Sequence, residues 1–302
     1  MNSSEIRDII ISLIINGFHL DNIKRDVKDC LNVNAIKYDK LGARIRYSFL
    51  FSKGSINKTV VKSFLENSKV NKYTPIFISD DEKADKCINL NYNDFFEKVG
   101  GLVNTGLILV ENINEIINKL GYNELPEGLS GKPDDLLEIY FKEIMQFLLL
   151  SPAKRYGGDR RFESLPDGII IGKDLIIQFD TKAYANGFDF KSDDIERFSK
   201  YINAFNKSYD KILGPVYAFV VVSGGFNDSP DSIENRRKAL YKKCQTNLCC
   251  LTCQDLGDIL DLIKENPHQR GIIDWRSIFS NTNIKSELVQ NELKVINKDK
   301  LV

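Results

Sequence analysis

The chain has 302 residues, 42% of them hydrophobic and 28% charged, and its 42 Lys and Arg balance 42 Asp and Glu. That length and apolar share suit one large domain or two ordinary ones with real cores, and exclude a disordered chain. No apolar run approaches the ~20 residues of a membrane-spanning helix. The only two histidines, His19 and His268, lie far apart in sequence, which argues against chemistry built on histidine pairs and turns any metal site toward carboxylates.

In chain order, Ser4 precedes an apolar run to Ile15, which predicts a helix, and Asp21 opens a second helix ending near Leu31. Glu5, Arg7 and Asp8 ahead of Ile9–Ile15 argue against a secretory signal, so the chain is expected to be soluble and cytoplasmic, with free thiols. Residues 44–51 read as a strand, 57–67 as a helix, 73–79 as a strand and 93–99 as a helix. The stretch from Leu120 to Pro133, rich in Gly and Pro, reads as a linker between two domains. The expected division is 1–125, 133–285 and a tail over 286–302.

Beyond the linker, Asp134 or Asp135 can cap a buried helix from Leu136 to Leu150. Then come a turn at Gly157-Gly158, a strand over 168–171, a turn at 172–174 and a strand over 175–179. A helix (192–205), a strand (216–222), a helix (233–243), a strand (248–252) and a helix (256–264) complete the pattern. The run from Val216 to Val222 is too uniformly apolar for a half-exposed strand and should lie centrally, covered on both faces. The expected class is α/β, a short central mixed sheet flanked by helices, with an N-terminal α/β domain before it.

Charge is uneven in the first domain. Residues 1–75 hold 13 basic and 7 acidic side chains, and the balance reverses over 76–130. Lys37, Lys40, Arg44, Arg46, Lys53, Lys58, Lys62, Lys69 and Lys72, interleaved with Tyr38, Tyr47 and Phe49, form either a solvated face or a surface that tracks phosphates. Lys154, Arg155, Arg160 and Arg161 flank the Gly157-Gly158 turn, where contacts to DNA phosphates would be useful, or where they make an ordinary charged loop. Cys244, Cys249, Cys250 and Cys253 lack the spacing of a zinc site and read as buried small hydrophobes. Trp275 reads as a packing residue and His268 as a surface one.

The informative stretch runs from Pro166-Asp167 to Asp180-Thr181-Lys182. A turn at 172–174 folds the second strand back on the first, so Asp180 emerges beside Asp167. Asp180 and Lys182, two apart in extended chain, share a face. Paired carboxylates can hold Mg²⁺ with its waters, and an ammonium can stabilise charge on a pentavalent phosphorus, so the set suits phosphodiester hydrolysis. Lys182 either orients the attacking water or helps deprotonate it. Read as structure alone, Asp167 is a turn residue and Asp180 and Lys182 a surface ion pair. Pro133-Asp134 and Pro230-Asp231 are similar dipeptides, but neither leads into a hairpin ending in Asp-x-Lys.

This pattern resembles the PD-(D/E)xK nuclease superfamily, and Phe179-Asp180-Thr181-Lys182-Ala183-Tyr184 resembles FokI-type cleavage domains. The likeness extends to Gly157-Gly158, Asn186-Gly187-Phe188 and Val222-Ser223-Gly224-Gly225-Phe226, and covers about residues 135–280. It implies a restriction-endonuclease-like core and a Mg²⁺-dependent, type II restriction endonuclease acting on double-stranded DNA, leaving 5′-phosphate and 3′-hydroxyl ends. Asp167, Asp180 and Lys182 would be the metal-binding and catalytic residues, with Glu143 as an accessory carboxylate. Asp193 and Arg197 keep the spacing that the family uses to pair two cleavage domains, or form an ordinary helix ion pair. A homodimer or partner subunit is then expected for double-strand cutting. The alternatives are a strand-nicking or catalytic subunit of a larger complex, a repair or mobile-element nuclease, and a DNA-binding protein with residual carboxylates. The first domain's element order echoes the nuclease fold without its motif; a winged helix is the other option.

Overall fold

Apolar and polar residues alternate strictly from Leu31 to Ala35, where the second helix read above would end, and this period of two is one a helix cannot use. Leu31, Val33 and Ala35 turn to one face and are buried. The segment is therefore a strand hairpin, His19–Val27 (β1) against Cys30–Tyr38 (β2). The structure, a computed structural model, describes residues 1–27, 29–38, 44–99, 112–157, 165–172, 174–267 and 269–299. It divides into two units, Met1–Leu102 and Val103–Val302.

Unit 1 opens with helix Ser3–Ile15 (α1), whose Asn2 cap accepts from the Glu5 N–H while the Glu5 side chain accepts from the Asn2 N–H. After β1 and β2 come Arg44–Ser52 (β3), Lys58–Val70 (α2), Thr74–Ile78 (β4), Ile88–Leu90 (β5) and Tyr92–Val99 (α3). The sheet order is β1-β2-β3-β4-β5. Its first three strands are antiparallel and the last two join in parallel. Phe49, Phe51 and Phe95 stack or meet edge to face in the core on one side. Leu50 and Phe77 pack with Phe64 of α2 on the other.

Unit 2 contains Ile113–Gly121 (α4), Pro133–Leu149 (α5), Ala153–Arg155 (β6), Gly168–Ile171 (β7), Ile176–Lys182 (β8), Asp194–Leu213 (α6) and Ala218–Ser223 (β9). Pro230–Cys244 (α7), Asn247–Thr252 (β10), Cys253–Glu265 (α8), Trp275–Ile278 (α9), Asn283–Ile284 (β11) and Ser286–Asp299 (α10) complete it. The sheet order is β11-β10-β9-β8-β7-β6, antiparallel from β6 to β8 and parallel from β8 onward. As the sequence predicts, β9 is central and buried along its whole length. Residues of α4, α5, α8 and α10 share one core with the sheet. On the opposite face, Phe198 of α6 stacks on Phe219 with ring centres 4.2 Å apart.

The expected domain limits need correction. Ile113, Ile116, Ile117 and Leu120 of α4 sit in the core of unit 2, so that helix belongs to the second unit and the division falls before it. The stretch from 286 is not a tail, because Val289 and Leu293 of α10 are buried in the same core. Helix α5 starts one turn earlier than expected, with Lys132 at the N-cap and Pro133 as first residue. Asp134 and Asp135 favour the helix through its dipole instead of capping it. Among the described residues no helix is long and apolar enough to cross a membrane.

Candidate active site

The turn at 172–174 closes when the Gly172 N–H donates to the Leu175 carbonyl at 2.8 Å. The strands then pair Gly168 with Phe179, which brings Asp167 opposite Asp180. The parallel register with β9 sets Asp180 beside Val221 and Lys182 beside Ser223. Strand pleat turns Gln178, Asp180 and Lys182 toward α6, while Ile177 and Phe179 face α5 and the core. The close packing needs glycine at 168. A Cβ there would lie 2.3 Å from Phe179 Cζ and 2.5 Å from the Lys154 carbonyl oxygen, and backbone cannot move aside cheaply. Gly168→Ala is expected to cost about 1–3 kcal/mol, read as a lowered urea midpoint with an unchanged slope.

The three residues singled out by the sequence meet at one point. Thr181 donates to Asp167 Oδ2 from its N–H at 2.7 Å and from its hydroxyl at 3.2 Å. The Asp167 N–H donates to Asp180 Oδ1 at 3.2 Å. Lys182 Nζ donates to Asp180 Oδ2 at 2.7 Å. Burial, followed by the charge of Asp180, pushes the Asp167 carboxyl well above the ordinary carboxylate range. Burial works against the Lys182 charge, but the facing carboxylates outweigh it and hold the ammonium above its usual value.

A fourth group enters that the sequence reading assigned elsewhere. Arg197, on the first turn of α6, approaches Asp180 Oδ2 to 3.6 Å and donates to Asp194 Oδ1 at 2.7 Å. Asp194 is buried and also accepts from the Lys191 N–H. The ordinary helix ion pair between Asp193 and Arg197, one of the two readings given above, is therefore not formed. Asp193 is exposed at the helix start, and only its carbonyl accepts from the Arg197 N–H.

Glu143 is buried on α5, but it pairs with Lys142 at 2.6 Å and is not gathered with Asp167 and Asp180. Another carboxylate of α5, Glu138, lies at this end of the sheet. It receives Arg155 at 3.4 Å, and a Cβ at Gly157 would collide with its Oε2. Gly157 in turn donates its N–H to the Asp167 carbonyl at 3.1 Å. No local signal singles out Glu138, because both glutamates are buried on α5 and helical phase says only that they point about 140° apart. Among the described residues no cluster of three or more Asp, Glu, His or Cys side chains is assembled to hold a metal.

Of the expected phosphate contacts, Lys154 and Arg155 lie half-buried on β6 beside β7, with Arg155 turned to Asp135 and Glu138 of α5. Arg160 and Arg161 lie outside the described residues, as do Lys40 and His268. In the basic stretch of unit 1, Lys53 pairs with Glu5 and Lys62 with Glu66. Cys249, Cys250 and Cys253 are buried free thiols and Cys244 is half-buried. Burial pushes the Cys250 and Cys253 thiols up to about 12, as inert small hydrophobes require.

A mixed sheet whose antiparallel hairpin delivers charged side chains to its strand ends, with helices on both faces, defines unit 2 as a restriction-endonuclease-like α/β domain. The family model described as "FokI, cleavage domain" matches residues 110–285, more than half of the chain. The chain belongs to that family of restriction-type nuclease domains. Among solved structures, FokI bound to DNA is 19% identical with a TM-score of 0.47, the match covering 67% of this chain and 38% of that one. A second FokI structure is 20% identical with a TM-score of 0.45, covering 68% and 38%. The small subunit of the heterodimeric restriction endonuclease R.BspD6I is 8% identical with a TM-score of 0.39, covering 63% and 99%. The chain thus matches well under half the length of FokI. No curated protein matches it.

Proposed function

We propose that the chain is a Mg²⁺-dependent DNA endonuclease of restriction type, in which unit 2 hydrolyses the backbone and unit 1 engages or positions the DNA. The observation that carries this reading is the convergence of Asp167, Asp180 and Lys182 on one spot at the strand ends. The donor set fits Mg²⁺. Its ligands are hard carboxylate oxygens, two like charges are held together where a dication would relieve them, and Asp167 Oδ1 makes no hydrogen bond among the described residues. Asp167 and Asp180 would hold the ion, which supplies charge stabilisation at the phosphate and a more acidic bound water. Lys182 brings its ammonium to the same spot and steadies negative charge that grows on the phosphate oxygens. Arg197 orients Asp180, itself fixed by the buried Asp194.

One such centre cuts one strand, so a double-strand break takes two, from a second copy or a partner subunit. Supercoiled plasmid, incubated with Mg²⁺ or with a chelator, tests the reading. Linear product that needs Mg²⁺ is expected of a self-pairing enzyme, and nicked circles alone of a chain that requires a different subunit. Intact plasmid with every divalent cation tried would overturn the reading and favour a binding module.

A further inference from the structure

Unit 1 repeats the connectivity of unit 2. In each, a helix precedes three antiparallel strands, a second helix crosses over, and the next strand joins in parallel beside the third. Helix α2 covers in unit 1 the sheet face that α6 covers in unit 2. Where β8 turns Gln178, Asp180 and Lys182 to its helix, β3 turns Ser48, Leu50 and Ser52 to α2. Neither a carboxylate nor a lysine stands on β3 there, so this copy of the fold lacks the cleavage residues.

What the face holds instead is a cleft of about 320 Å³, at the small end of the range for ligand pockets. Its walls carry five asparagines, Asn22, Asn32, Asn34, Asn67 and Asn71, and one charged residue, Lys24. A sheet face against a helix is ordinarily apolar, but this cleft is polar and open to water, with Asn22, Asn67 and Asn71 exposed and Asn32 and Asn34 half-buried. Among the described residues the Asn22 and Asn32 amides make no hydrogen bond, and Asn34 uses only its oxygen, accepting from the Ser48 hydroxyl at 2.7 Å. At the rim Arg46 donates to the Asn71 carbonyl at 3.4 Å and lies over the Tyr73 ring. The lining has donors, acceptors and a cation, and no carboxylate.

We propose that unit 1 binds a nucleotide in this cleft, with the base edge against the asparagine amides and the phosphate at Lys24 and Arg46. Amides match base edges because each presents a donor and an acceptor side by side. A pocket reads a single base when that base is unpaired or swung out of its stack. The assignment rests on the proposed action on DNA only for the source of the nucleotide, an unpaired residue of DNA or a free nucleotide.

The test uses the full chain. Calorimetric titration with each of the four deoxynucleoside 5′-monophosphates is expected to show saturable binding of at least one. Fluorescence anisotropy compares a fully paired duplex with one carrying a single bulged nucleotide. Preference for the bulge identifies DNA as the source, and monophosphate binding without that preference identifies a free nucleotide. Asn22 and Asn67 are exposed, so Asn22→Ala with Asn67→Ala should fold normally, by thermal melting, and weaken binding about tenfold. Undiminished binding in that variant would overturn the cleft. So would a chain that cuts plasmid yet binds no monophosphate and ignores the bulge, a result that leaves the nuclease reading standing. Nucleotide binding by a chain that cuts nothing supports the cleft and removes only the nuclease reading.

Discussion

Asp180→Asn is expected to lower plasmid cleavage by about 10³-fold or more while leaving DNA affinity within about threefold. Asp180 is only 4% exposed, accepts from Lys182 and the Asp167 N–H, and has the Arg197 guanidinium beside it. Asparagine keeps the shape and can still accept from Asp167 but removes the charge that a cation needs. Folding should change little, because two effects oppose. The Asp167 carboxyl loses a like-charged neighbour, and Lys182 and Arg197 lose a counter-ion. Arg197 keeps Asp194, so the net shift should stay within about 2 kcal/mol. Single-turnover cleavage at saturating enzyme, with anisotropy for binding and melting for stability, separates these. Cleavage within tenfold of the parent would remove Asp180 from the chemistry.

Phe179→Ala is expected to cost about 3–5 kcal/mol of folding free energy, the largest loss among the substitutions considered. Phe179 is fully buried, meets Phe141 of α5 edge to face with ring centres 4.8 Å apart, and fills the space above Gly168. Truncation leaves a void where α5 grips the hairpin, and aromatic pairs add to the area lost. Phe179 immediately precedes Asp180, so loosening it also loosens the carboxylate. Urea unfolding should show a lower midpoint, and cleavage of the folded fraction should fall. A loss below about 1 kcal/mol would mean that the hairpin is anchored elsewhere. Phe179→Leu, keeping most of the volume, should recover more than half of the loss.

Much of unit 2 was legible because its signals are local. A strand has a period of two, so Asp180 and Lys182 had to share a face, and the turn at 172–174 had to return the second strand beside Asp167. The uniformly apolar run ending at Val222 could only be a central strand. Less was legible in unit 1, where Leu31, Val33 and Ala35 alternate as a strand requires but follow a stretch whose charged and apolar residues also fit a helix. The limits of the units were missed for a different reason. A short helix such as α4 carries the same apolar stripe whichever unit it joins, and only its partners decide.

The amino-acid order alone set out the candidate chemistry: an Asp-led hairpin closing on Asp-x-Lys, in a chain poor in histidine. Tertiary structure decided which neighbours that hairpin receives. It turned Arg197 inward to Asp180 and Asp194, left Asp193 exposed, brought Glu138 instead of Glu143 beside Gly157, and opened an amide-lined cleft in the first unit. Spacing along a helix or strand sets which side chains point together, but which face meets the sheet depends on packing between segments far apart in sequence, and no local period records that choice.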